Sequence, residues 1–101
     1  MSWEIKFFET SRGDSEVEIF LNQQSLSTHT KSVRMISLLK AHGPKLMMPF
    51  SRKISGEIYE LRIRGITEIR IFYAFHNNLI YLLHAFQKKS QKIPKKELDT
   101  A

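Results

Sequence analysis

The spacing of apolar residues changes period several times along the chain, and each change marks an element. In Trp3-Glu4-Ile5-Lys6-Phe7 apolar and polar residues alternate, which predicts a short strand with Trp3, Ile5 and Phe7 on one face. Arg12-Gly13-Asp14 ends it. Ser15-Glu16-Val17-Glu18 then has capping-box spacing: the serine oxygen and the glutamate three residues on each satisfy a free backbone N–H. Val17, Phe20 and Leu21 follow at helical intervals. A second helix, capped by Thr28 or Thr30, carries Val33, Ile36 and Leu39 with Met35 and Leu38 as one apolar stripe. His42-Gly43-Pro44 stops it. These two helices are expected to form an antiparallel hairpin.

From Lys45 to Ser55 no period holds, because Pro49 limits regular structure and the stretch mixes Leu46, Met47 and Met48 with Arg52 and Lys53. It reads as a loop or a short edge strand. Beyond Glu57 the period is two. Tyr59, Leu61 and Ile63 share one face, while Glu60, Arg62 and Arg64 share the other. Gly65-Ile66-Thr67 turns the chain, and Glu68 to Phe75 returns. After the turn His76-Asn77-Asn78, Leu79 to Phe86 is apolar on both sides and predicts a central strand. Pro94 sits at the first position of a short C-terminal helix.

The order β-α-α-β-β-β predicts an α+β fold in a single domain, residues 1–101. A helical hairpin packs on one face of an antiparallel sheet of about four strands, and the other face stays partly open, carrying Glu60, Arg62 and Arg64.

Composition narrows the function. The 101 residues hold 16 Lys and Arg against 10 Asp and Glu, a formal net charge of +6 that favours polyanionic partners. The charge is uneven: Lys88 to Lys96, KKSQKIPKK, has five lysines and no acid, whereas the first twenty residues have five acids and two bases. Without cysteine there is neither a disulfide framework nor a thiolate metal site. No apolar run reaches the roughly 18 residues of a membrane helix, and the start lacks the form of a signal peptide, so the cytoplasm is the expected location and no membrane partner is expected.

Arg62 and Arg64, at alternate positions of one strand, project about 7 Å apart from the same face, a spacing that suits two contacts to one phosphodiester backbone. A plain solvated face, with these arginines paired to Glu60 and Glu68, is the competing reading. Arg70, set among Ile69, Ile71, Phe72 and Tyr73, must reach an anion or remain a poorly solvated charge. Lys88 and Lys89 follow the third strand of the meander, whose end lies beside the start of the second. His29, His42 and His76 fall in turns or at a helix end, and His84 reads as a core or edge histidine. No spacing suggests a metal site, a nucleotide-binding glycine loop or a serine triad.

Three stretches together resemble the RelE/HigB-type toxins of bacterial toxin–antitoxin pairs, and within them the phage-derived HigB-like branch: Ile58-Tyr59-Glu60-Leu61-Arg62, Ile69-Arg70-Ile71-Phe72-Tyr73, and Leu82 to Pro94 with its Lys88-Lys89 and Lys92-Ile93-Pro94. The resemblance implies an mRNA endoribonuclease acting in the ribosomal A site without metal or cofactor, in which the RNA 2′-hydroxyl attacks the adjacent phosphate. It implies catalytic roles for Arg62, Arg70, Lys88 and Lys89, and RNA contacts from Arg64, Lys92, Tyr73 and His84. The implied partners are mRNA, the ribosome and a cognate antitoxin, expected to be a small helix-turn-helix protein that can bring operator DNA. Two features depart from the pattern: Glu60 stands where some relatives have a lysine, and the tail after Lys89 has no tyrosine or histidine. Proton transfer is therefore left to lysine, or to His84 and Tyr73. The same fold also carries ParE-like toxins acting on DNA gyrase, and a non-catalytic nucleic-acid-binding domain is the third possibility.

Overall fold

The computed structural model describes residues 3–88, in the order β1 (Glu4–Phe7), α1 (Glu16–Asn22), α2 (Leu26–His42), a 3-10 turn (Gly43–Lys45), β2 (Ser51–Ser55), β3 (Ile58–Ile63), β4 (Ile69–His76) and β5 (Leu79–Gln87). The C-terminal helix expected after Pro94 lies outside the described residues.

The α+β architecture agrees with the expectation, but the sheet has five strands, in the order β1-β5-β4-β3-β2, and is mixed. The added strand lies at one edge and the parallel pair at the other. The irregular stretch after Pro49 forms β2, antiparallel to β3, and β1 pairs parallel to β5, with Ile5 opposite Ile80. The chain thus enters at one edge, crosses through the two helices, and begins its antiparallel meander at the other edge.

Ser15 caps α1, its hydroxyl oxygen accepting from the Glu18 N–H at 3.2 Å, as the capping-box spacing predicts. In α2 the cap is Ser25, not Thr28 or Thr30: Ser25 Oγ accepts from the Thr28 N–H at 3.3 Å, and the helix starts at Leu26. The buried stripe is also rotated from the expected one. Ser32 and Leu39 are fully buried with Met35 and Ile36 half-buried beside them, whereas Val33 is 48% exposed. Ser32 tolerates burial because its hydroxyl donates to the Thr28 carbonyl at 2.8 Å.

One face of the sheet makes the core: Leu61, Ile63, Ile69, Ile71, Tyr73, Ile80, Leu82 and Ala85 pack with Val17, Leu21 and Leu39 from the helices. Trp3 closes one end. Its backbone N–H donates to the Lys40 carbonyl at 2.8 Å, and its ring meets Phe75 edge-on at 5.2 Å. The hairpin between β4 and β5 turns on Asn77 and Asn78 at φ 48° and 66°, left-handed values that asparagine tolerates and that suit the twist of a two-residue turn.

A bulge in β5 decides what lies on the other face. Tyr73 pairs with Leu82 but Phe72 pairs with His84, so Leu83 is an extra residue and the side-chain alternation reverses there. Without that reversal, simple alternation would keep His84 and Phe86 on the same side as Leu82 in the core; with it, they pass to the opposite face.

Candidate nucleic-acid interface

Strand register assembles the face opposite the core in three rows. Arg52 lies across from Glu60, Glu60 from Phe72, and Phe72 from His84. In the next row Arg62 lies across from Arg70 and Arg70 from Phe86. Continued alternation sets Arg64, Glu68 and Lys88 in the third row, where the Lys88 N–H donates to the Glu68 carbonyl at 2.8 Å. The aromatic side is a cluster of its own: Phe72 meets Phe86 edge-on at 5.3 Å, and His84 stacks near Phe86 at 5.7 Å.

The expected openness of this face holds only at its rim. Glu60 and Phe72 are 0% exposed and Arg70 is 1% exposed, while Arg52 and Arg64 remain exposed. At the buried centre one carboxylate oxygen meets three guanidinium groups: Glu60 Oε1 is 3.2 Å from Arg52 Nε, 3.8 Å from Arg70 Nη1 and 3.9 Å from Arg62 Nε. Glu68 Oε1 is 3.2 Å from Arg70 Nη2 and 3.7 Å from Arg64 Nη1. The Glu60 and Glu68 pairing expected of an ordinary strand face is therefore present, but at the centre of the face it is not solvated.

These acids do not use up the donors. Arg70 Nε and Nη1 and Arg62 Nε are buried and have no hydrogen-bond partner among the described residues; Glu60 Oε2 is in the same condition. A buried donor left without an acceptor costs about 1–3 kcal/mol, more when charged. Placing Arg62 directly opposite Arg70 adds like-charge repulsion across the β3–β4 pair. Among the described residues, five cations against two carboxylates leave this face short of negative charge. Guanidinium forks are chemically matched to the oxygens of a tetrahedral anion such as phosphate.

Burial pulls the Arg70 guanidinium below its ordinary value. Glu60 and then Glu68 push it back up, and Arg62 and Arg64 add smaller downward effects. Lys88 is also lowered from the ordinary lysine value, first by desolvation and next by the Arg70 charge, with Glu60 and Glu68 opposing. The backbone register sets Lys88 one row from Arg70.

Of the residues singled out from sequence, Arg62, Arg64, Arg70, His84 and Lys88 share this face. Tyr73 does not. It projects from the opposite side of β4, is 1% exposed in the core, and its hydroxyl is hydrogen-bonded to that of Ser51, so it is corrected from an RNA contact to a core residue. The cause is strand alternation: Tyr73 is one residue from Phe72 and three from Arg70, and odd separations in a strand face opposite ways. Lys89 and Lys92 lie outside the described residues. Sequence reasoning missed Arg52, which only the β2–β3 register brings to Glu60, and missed Phe72 and Phe86 as the apolar wall of the site.

A model of the family described as phage derived protein Gp49-like (DUF891) matches residues 20–101, a span that contains every residue of this face. No curated protein matches the chain.

Proposed function

Starting from the chain's membership of the phage-derived Gp49-like family, a family of RelE/HigB-type toxins from toxin–antitoxin systems, we propose that it is a ribosome-dependent mRNA endoribonuclease whose site is the arginine face of the sheet. The observation that carries this reading is Arg70: a buried guanidinium with two nitrogens that make no hydrogen bond among the described residues, set opposite Arg62 and one row from Lys88.

In the proposed reaction the RNA 2′-hydroxyl passes its proton to water and attacks the neighbouring phosphorus, the bond to the 5′-oxygen breaks as that oxygen is protonated, and a 2′,3′-cyclic phosphate remains. Negative charge grows on the non-bridging oxygens as five-coordinate phosphorus forms. Donors from Arg70 and Arg62, already in place and partly desolvated, stabilise that charge more than they stabilise the ground state. Lys88, lowered by burial and by Arg70, gives up a proton to the departing 5′-oxygen more readily than an ordinary lysine. Phe86 and Phe72 limit water beside the reacting phosphate, which strengthens each of these interactions. Lys89 and Lys92, in the same basic run, extend the RNA contact, and His84 lines it.

Membership of a toxin–antitoxin family implies an antitoxin partner. We assign that role to a small helix-turn-helix protein, whose acidic groups would cover the surplus positive charge of the site and so silence it.

Cleavage of an mRNA programmed on ribosomes, mapped by primer extension, tests the reading. Arg70→Ala is expected to lower cleavage by about a hundredfold or more, as for loss of a donor to a developing oxyanion. Arg70→Lys keeps the charge but not the fork, and should recover only part of the loss. Unchanged cleavage in both variants overturns the site. DNA damage on expression, with mRNA left intact, points instead to gyrase.

A further inference from the structure

Beside the arginine rows, at the end of β3 that β2 does not cover, lies a separate cavity of about 210 Å³ lined by Lys31, Met35, Pro49, Phe50, Arg62 and Arg64. Its chemistry is divided. Phe50, Pro49 and Met35 form an apolar side, while three cations and, among the described residues, no carboxylate form the rest. Two elements bring the halves together. Lys31 reaches from α2 toward the β3–β4 loop, its Nζ 3.5 Å from where a Cβ on Gly65 would stand. The Met47 to Phe50 segment passes the β3 edge, tied there by the Arg62 N–H donating to the Phe50 carbonyl at 2.8 Å. Arg62 joins this cavity to the phosphate site, because its Nε faces Glu60 while its Nη1 contacts Met48 Sδ at 3.6 Å.

We propose that this cavity is a nucleotide subsite of the RNA substrate: it takes the base next to the scissile phosphate against Phe50, with the following backbone phosphate held by Arg64 and Lys31. This rests on the endoribonuclease reading for the identity of the polymer. Three features converge on it. Phe50 is 43% exposed although it is aromatic and surrounded by cations, the setting in which a ring serves as a stacking platform. The cavity is smaller than a drug-sized pocket, of a size for one flat base. Arg62 and Arg64 are same-face neighbours on one chain, about 7 Å apart along it, so they can follow consecutive phosphates of a single strand. Base identity at that position would then be sensed through the fit against Phe50, Met35 and Pro49, making the subsite a source of cut-site preference.

The test uses binding, so that it stands apart from cleavage. Trinucleotides made uncleavable by 2′-deoxy substitution, intact or with one base removed at each position in turn, are titrated against the full chain and its Phe50→Ala and Phe50→Trp variants. For the wild-type chain, removal of one particular base should weaken binding roughly tenfold, within the range for one stacked base. Phe50→Ala should bind the intact trinucleotide as weakly as the wild type binds that abasic form and be indifferent to the missing base, while Phe50→Trp restores sensitivity. Lys31→Ala should weaken all the oligonucleotides alike. Equal sensitivity to every base in the wild type and Phe50→Ala, or no binding by the wild type, overturns the subsite even if cleavage is intact. Base-specific binding without cleavage keeps the subsite and overturns the endoribonuclease reading.

Discussion

At the scale of single residues, Glu60 is the pin on which three arginines depend. Its carboxylate is fully buried, and the guanidinium groups of Arg52, Arg62 and Arg70 all lie on one of its oxygens. Removing one partner from a buried ionic cluster leaves uncompensated charge, which costs about 3 kcal/mol. Glu60→Ala is therefore expected to lose roughly that much stability in urea denaturation, and added phosphate should return part of it by binding the freed arginines. A loss below about 0.5 kcal/mol, the ordinary surface value, would show that the carboxylate does not hold the cluster. Tyr73 makes a pH prediction. Burial raises its phenol above the ordinary value of 10.0, with the Ser51 hydrogen bond opposing. Below pH 10 folded and unfolded chains both keep the proton and this group adds no slope. Above it the unfolded chain ionises first and binds fewer protons, so stability falls as pH rises. Tyr73→Phe should lessen that alkaline fall, at a cost near neutrality of about 1 kcal/mol from the Ser51 hydroxyl left behind. An alkaline arm identical to wild type would show that Tyr73 is not the group responsible.

At the scale of elements, the joint between α2 and the 3-10 turn is the least forgiving position. Gly43 has φ +54°, and a Cβ there would stand 2.2 Å from the Trp3 indole nitrogen. The tryptophan that closes the core thus occupies the space a side chain would need. Gly43→Ala is expected to lower Tm by about 10 °C, from a cost near 2 kcal/mol of left-handed backbone and steric conflict together. A shift under about 2 °C by calorimetry would mean that Trp3 moves aside freely. The helices were legible in sequence through their spacing, and α1 also through its Ser15 cap, but the cap and the rotation of α2 were not. Val33 and Ser32 are adjacent and both permit a stripe through Leu39; only packing against the sheet selects the small Ser32 for the close side. The β5 bulge is likewise invisible, because Leu82-Leu83-His84-Ala85-Phe86 reads as apolar in either parity.

At the scale of the whole molecule, the net charge of +6 acts together with its placement. Three strands and the residues after β3 and β5 bring cations to one face, with two acids among the described residues there, so binding of single-stranded RNA should weaken steeply with salt. Each phosphate contact contributes about 0.7 to the slope of log affinity against log salt concentration, and Lys88→Gln should reduce the slope by roughly that amount. Fluorescence anisotropy across a salt series measures it. An unaltered slope would place the Lys88 ammonium away from the backbone, and a larger change would mean that its loss disturbs Arg70 as well.

By itself the sequence determined the order of the elements, the face of β3 that carries Arg62, and the surplus of positive charge, because helix spacing, strand alternation and composition are local properties. It also showed Arg70 as a charge in apolar surroundings. The tertiary structure decided which charges meet. Arg52 reaches Glu60, and His84, Phe86 and Lys88 join Arg70, only through strand register and one extra residue in β5. Tyr73 left the site for the core by the same rule of parity. Register is settled by cross-strand pairing between residues far apart in the chain, and a shift of one position moves every later side chain to the other face.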